Sequence, residues 1–234
     1  MYYGFYGPYP LLMAVSILLS MYASSRVNRN YRKYSRIYSK TGMTGSQVAR
    51  KILDANGLYD VRIEMQPGTM TDHYDPGSRV IRLSQGVYNQ STIAAASIAA
   101  HETGHAIQHQ QSYSLLMLRN AIAVPVNIAS NVSWWCIVLG ILIGMVAGPS
   151  TGNTFIDIGI ILFAAVVVFH LVTLPVELDA SRRALVQMEG MGLLFNDEVR
   201  GARKMLKAAA FTYLAALMTS LIQLVRLLAL RRDE

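Results

Sequence analysis

This sequence is short of charge. Asp, Glu, Lys and Arg make up 15% of its 234 residues, while 53% are hydrophobic. A soluble domain carries about 25% charged residues, so the balance favours a membrane protein over a fully solvated one. Acids are scarcer than bases, 14 against 21, which leaves a net charge of +7. The bases sit beside apolar runs. That placement suits anionic lipid head groups and the control of membrane orientation, and it argues against nucleic acid as a partner. Cys136 is the only cysteine and lies inside an apolar stretch, which excludes an internal disulfide and a thiolate zinc site. Internal repeats and low-complexity tracts are also lacking.

Four apolar segments are present, at about Tyr9–Ala23, Val132–Ala147, Phe155–Leu174 and Ala208–Leu230. Tyr2, Tyr3, Phe5, Tyr6 and Tyr9 ahead of the first read as an interfacial aromatic belt. No basic residue precedes that segment, unlike a signal peptide. Arg26, Arg29, Arg32, Lys33, Arg36 and Lys40 follow it with no acid among them. The positive-inside rule then puts the N-terminus outside and the next stretch in the cytoplasm. The second and third segments form a hairpin turned by Pro149, Ser150, Gly152 and Asn153. Its uncharged tip fits an outside loop, and the chain returns to the cytoplasm near Pro175. The fourth segment contains Gln223 and Arg226 and ends on Arg231 and Arg232. A full span carries those bases outside, against the rule, so both a span and an interfacial helix fit it.

Residues 41–120 read as a water-soluble subdomain. Gln47–Ala55 has helical apolar spacing, with Gly57 at its end. Val61–Met65 alternates as a strand does, residues 66–78 carry loop composition, and Arg79–Ser84 reads as a short strand. Ser91 or Thr92 caps a long helix over Ile93–Gln111.

The middle of that helix reads AAHETGHAIQHQ. His101 and His105 stand four residues apart, so both imidazoles leave one helix face. Two such nitrogens bind Zn²⁺ and leave room for a third ligand and a water. Glu102 stands beside the first of them, where a carboxylate takes a proton from that water. This is the H-E-x-x-H arrangement of metallopeptidases, and for a chain of this composition about 0.003 chance matches are expected. His109 follows one turn later and reads as a surface or supporting residue. The metzincin continuation fails because Gln108 and Gln111 stand where Gly and His are needed.

The third ligand has to come from elsewhere. In LPVELDASRRAL, Glu177 begins what reads as a helix, on the same side of the membrane as His101, and is the favoured ligand, with Asp179 as the alternative. Asp72, His73 and Tyr74 precede the second strand. A His or Tyr there either donates to the reaction intermediate or holds the strand against the metal helix. Arg182 and Arg183 are further candidate donors, though contacts to lipid phosphate or to acids suit them better. His170 lies within the third apolar segment and reads as a neutral imidazole bonded between helices. Asp157 lies near the outer end of that segment.

The run TDHYDPGSRVIRLSQGVYNQSTIAAASIAAHETGHAIQH, the apolar hairpin and then VELDASRRAL resemble the YugP family of membrane zinc metallopeptidases over most of the chain. More distantly they resemble membrane gluzincins of the HtpX and CAAX-prenyl-protease type. The resemblance implies Zn²⁺ as cofactor and Glu177 as third ligand. It also implies that the strand before the metal helix (Arg79, Val80, Ile81, Arg82 and Leu83) receives an extended polypeptide substrate along an exposed edge. The distant relatives carry Asp four residues after that Glu. Here the position is Ser181, and Ser181, Asp179 or a group from elsewhere in the chain takes over the support of a ligand histidine.

The expected fold is mainly α: a multi-pass membrane protein with a small cytoplasmic α+β gluzincin-like metallopeptidase unit. The expected parts are an N-terminal transmembrane helix (1–24), a cytoplasmic zinc-peptidase subdomain (25–121) and a transmembrane hairpin (122–176). A cytoplasmic helical segment (177–207) and a C-terminal transmembrane or interfacial helix (208–234) follow. The expected function is a zinc metalloendopeptidase of the cell membrane, acting on membrane or membrane-proximal proteins. The rival is a non-catalytic, zinc-stabilised scaffold or chaperone. Metal-ion transport has thin support, from His170 and Asp157 alone.

Overall fold

The computed structural model describes residues 9–232. Tyr2, Tyr3, Phe5 and Tyr6 of the expected aromatic belt lie outside the described residues. The elements are α1 (Tyr9–Tyr34), α2 (Gly45–Ala55), β1 (Arg62–Gln66), β2 (His73–Asp75), β3 (Val80–Ser84), α3 (Gln85–Tyr88), α4 (Ile93–Gln110), α5 (Ser114–Ala147), α6 (Pro149–Gly190) and α7 (Asp197–Arg232). The fold is mainly helical with a small three-stranded sheet. Four helices are long and apolar enough to cross a membrane: Pro10–Tyr34, Ser114–Ala147, Ser150–Gly190 and Asp197–Ala229. The chain forms two compact units. One contains the described residues up to Tyr22, Leu118–Leu174, and the described residues from Tyr213 onward. The other contains Ala23–Met117 and Pro175–Thr212.

The first unit is a bundle of apolar helix segments. The α5–α6 hairpin breaks at Gly148, whose φ of 97° ends α5, and Pro149 opens α6, a position that suits proline. The break is thus tighter than the expected turn, because Gly152 and Asn153 are already helical. The two helices approach closely through glycine: a Cβ on Gly152 would lie 2.4 Å from the Gly140 carbonyl oxygen. Ser133 Oγ adds a bond of 2.7 Å to the Gly159 carbonyl. Small residues and interhelical hydroxyl bonds hold helices together where lipid removes the hydrophobic drive. Ile137, Ile156, Ile160 and Leu227 form the buried centre.

α7 runs antiparallel to both α1 and α6 in this unit. Ser20 Oγ lies 3.4 Å from Thr219 Oγ1, and Arg226 reaches Met13 Sδ at 3.3 Å. Arg231 Nε donates to Asp157 Oδ1 at 2.8 Å. The last turn of α7 therefore stands beside the first turns of α6. A charge with an opposite partner is far cheaper near lipid than a lone one. The ion pair gives Arg231 an opposite charge at the end of this apolar helix.

The second unit is built on α4. Thr92 Oγ1 caps it by accepting from Ala95 N at 3.2 Å. Ala94, Ala95, Ala96, Ala99, Ala100 and Ala106 are buried. Side chains this small let neighbours pack around the whole helix. α2 opens with a capping box between Thr44 and Gln47, which satisfies two free donors at once. Its buried face of Val48, Ala49, Ile52 and Leu53 joins the core, and Gly57 follows in the left-handed region at φ 72°.

The sheet corrects the sequence reading in two ways. His73–Asp75, expected to be loop, forms β2 and pairs antiparallel with β3, Tyr74 facing Ile81. Three residues are too few to show a period, and the pairing is set by the turn that follows. Asp75 Oδ1 accepts from Gly77 N at 2.9 Å, and Arg79 at φ 53° completes that turn, so it stands outside the strand. The order is β1-β3-β2. Val80, Ile81, Arg82 and Leu83 thus form the central strand, with β1 parallel on one side and β2 on the other. They have no exposed edge to offer a peptide, and Arg79 pairs with Asp60 at 2.7 Å. The strand is internal because its Val80, Ile81 and Leu83 are completely buried.

α6 also differs from expectation. Glu177 does not begin a helix: α6 runs unbroken through Pro175 to Gly190. A proline inside a helix removes one backbone donor, a defect that long packed helices tolerate.

Candidate metal centre

α4 presents His101 and His105 one turn apart, with ring centroids 4.8 Å from each other and planes at 84°. α6 brings Glu177 to them. Its Oε2 lies 3.2 Å from His101 Nε2 and 3.6 Å from His105 Nε2. In a tetrahedral zinc site with bonds of about 2.1 Å, ligand atoms stand about 3.4 Å apart. The two His–Glu distances bracket that value, and all three candidate ligand atoms lie within 4.8 Å of one another, so the set can gather around a zinc ion. Among the described residues these three form the one such cluster, and neither His109 nor Asp179 belongs to it.

The approach of the two helices depends on Gly104, inside the motif. A Cβ there would sit 2.5 Å from the Ala180 carbonyl oxygen. That atom is backbone and cannot swing aside. Gly104→Ala is therefore expected to destabilise the fold by about 1–3 kcal/mol, although alanine is the better helix former. It should also weaken zinc binding by pushing Glu177 away from the histidines. Thermal unfolding and chelator competition on the variant check both.

Glu102 is buried and lies next to this cluster. Burial pushes its carboxyl up to about 7; His101 and the Tyr74 backbone N–H oppose the rise, while Glu177 and Asp72 add to it. A carboxyl poised there exchanges protons readily near neutral pH. Glu177 lies past the apolar run that ends at Leu174. Burial alone would raise its carboxyl, but the hydrogen bond from His101 and the adjacent His105 imidazole outweigh that effect and hold it below the usual carboxylate range. It is an anion ready for a cation.

The far nitrogens of both imidazoles have partners. Ser181 Oγ lies 3.2 Å from His101 Nδ1, so a hydroxyl supports this imidazole. His105 Nδ1 lies 3.0 Å from Gln108 Oε1. Gln108 is completely buried, and its Nε2 donates to the Val176 carbonyl and to Asp179 Oδ2, both at 2.9 Å. Asp179, the alternative ligand of the sequence reading, gives its oxygens to Gln108, Arg182 and Arg183. Arg183 also donates to Gln111 Oε1 at 2.6 Å.

Tyr74 is drawn to the site and His73 is not. The Tyr74 hydroxyl lies 2.9 Å from His109 Nδ1, which ties β2 to α4 and gives His109 its supporting part. His73 is exposed, with Nδ1 2.9 Å from the Thr71 carbonyl. Asp72 accepts from Ser84 N at 2.7 Å and from Ser84 Oγ, so it fastens the loop to β3. Sequence reasoning passed over Gln108 and Gly104. Gln108 had a signal, since it lies three residues after His105 on the same helix face. For Gly104 the only hint was a glycine inside a helix, which costs about 1 kcal/mol relative to alanine without a packing reason.

Residues 9–232 match the family model described as "Putative neutral zinc metallopeptidase". The chain is 46% identical over 226 residues to the "Putative membrane protease YugP" of Bacillus subtilis (strain 168), covering 95% of this chain and 97% of that protein. No solved structure gives a significant match.

Proposed function

Since this chain belongs to the neutral zinc metallopeptidase family, we propose that it is an endopeptidase with His101, His105 and Glu177 as zinc ligands and Glu102 as general base. The observation that carries this reading is the triangle of His101 Nε2, His105 Nε2 and Glu177 Oε2 beside a buried carboxylate. Zinc held there would polarise the scissile carbonyl and acidify water. Glu102 takes the proton from the attacking water at a carboxylate oxygen and delivers it to the leaving amine. Ser181 and Gln108 orient the imidazoles through their Nδ1 atoms. A structural zinc site is closed by four protein ligands. A cluster of three with an adjacent free carboxylate argues for catalysis over the scaffold reading.

The substrate is a membrane or membrane-adjacent polypeptide. The apolar run of α6 ends at Leu174, three residues before Glu177 in the chain, and this closeness in sequence supports a substrate at or near the bilayer. An extended chain adds to β2, an edge strand, in place of the internal β3. The Tyr74 N–H that reaches Glu102 belongs to this strand. The bases that follow the first span put the catalytic unit on the cytoplasmic face. With α7 as a full span, both termini lie outside.

Two measurements test the proposal. Protein purified in detergent should hold about one zinc per chain, as expected of a His₂Glu site. Chelation should abolish cleavage of unfolded casein, and zinc should restore it. Cleavage that survives complete metal removal sinks the enzyme reading. For the face, Met70→Cys in a Cys136→Ser background places a thiol on the exposed loop before β2. An impermeant maleimide should label it in inside-out vesicles and not in intact cells. The reverse pattern overturns the cytoplasmic assignment alone.

A further inference from the structure

We propose that Gln108 is the positioning residue that fixes which nitrogen His105 offers to the metal, and that Asp179 acts on the metal only through it. The inference rests on His101, His105 and Glu177 being the ligands. A glutamine amide has a donor end and an acceptor end. Here the donor end has two acceptor partners, the Val176 carbonyl and Asp179 Oδ2. Reversing the amide would set its oxygen against both. The acceptor end must therefore face His105 Nδ1 at 3.0 Å. An amide oxygen only accepts, so His105 carries a proton on Nδ1, and Nε2 is the nitrogen left for the metal.

Gln108 is completely buried, so bulk water does not compete for its bonds. Asp179 is in turn gripped by Arg182 and Arg183. The result is a relay of arginines, carboxylate, amide and imidazole. The amide separates Asp179 from the ring, so its charge never touches the ligand directly. His101 is held less tightly, because the Ser181 hydroxyl can donate or accept and imposes no tautomer.

The test is zinc affinity by competition with a chromogenic chelator, on folded full-length protein in detergent. Gln108→Leu should bind zinc about 10- to 100-fold more weakly. Asp179→Ala should also bind more weakly, and the double variant no more weakly than Gln108→Leu alone. Imidazole ¹⁵N shifts of the zinc-loaded wild type should show His105 bound through Nε2 with its proton on Nδ1, and Gln108→Leu should lose that preference. A purely structural role would not move the tautomer. Wild-type affinity in Gln108→Leu, or losses that multiply in the double variant, overturns the relay. If Gln108→Leu does not fold, Asp179→Ala decides: unchanged affinity overturns the proposal and weakened affinity supports it. His105→Ala separates the two levels. If that variant keeps its zinc, the ligand set itself is wrong. If it loses zinc while Gln108→Leu does not, only the relay fails.

Discussion

Glu102→Gln is expected to keep its zinc and lose cleavage by a factor of about 10²–10⁴, the usual range for one general acid–base group. The substitution preserves shape and the hydrogen bond from Tyr74 N–H while removing the basic oxygen. Glu102 is not one of the three clustered ligands, so metal content should match the wild type. Metal analysis beside proteolysis of unfolded casein provides the check. If Glu102→Gln cleaves at the wild-type rate, the base lies elsewhere. The wild-type pH profile supplies a second reading. Glu102 works when ionised, and burial pushes its carboxyl up to about 7 in the metal-free site. A divalent cation on the adjacent imidazoles favours the anion and draws that value down. The rate should therefore fall on the acid side as the carboxylate gains its proton, with a midpoint below 7.

Glu177→Ala is expected to do the opposite and lose the metal. A four-coordinate structural zinc site binds with about 10–16 kcal/mol, so one ligand is worth about 3–4 kcal/mol, or a factor of about 10²–10³ in affinity. Cleavage should fall with zinc occupancy and recover in part at high zinc concentration. Glu177→Gln, which keeps the volume and one oxygen but drops the charge, should fall between the two. Asp179→Ala should lose far less, because Asp179 meets Gln108 and the arginines and no ligand histidine. If the Asp179 variant loses zinc outright and the Glu177 variant retains it, the two acids must exchange roles.

The sequence by itself determined what depends on neighbours along the chain. A helix repeats every 3.6 residues, so H-E-T-G-H sets two imidazoles on one face whatever surrounds them. Apolar runs long enough to cross lipid are legible for the same local reason, as are the Thr92 cap and the Gly57 stop. The third ligand was only partly legible. Glu177 stands 76 residues from His101; chain order and charge suggested Glu177 or Asp179, and packing decided which oxygen reaches the imidazoles. Tertiary structure alone decided four further features. It made β3 internal and β2 the edge, because a three-residue strand carries no period and exists only through its partner. It let α6 run on through Pro175, because a packed helix absorbs one missing donor. It brought Asp157 to Arg231, which no spacing rule relates. It also set Gly104 against the Ala180 carbonyl and Gln108 between His105 and Asp179, contacts across helices that close packing fixes; the sequence shows only a glycine inside a helix and a glutamine one turn after His105.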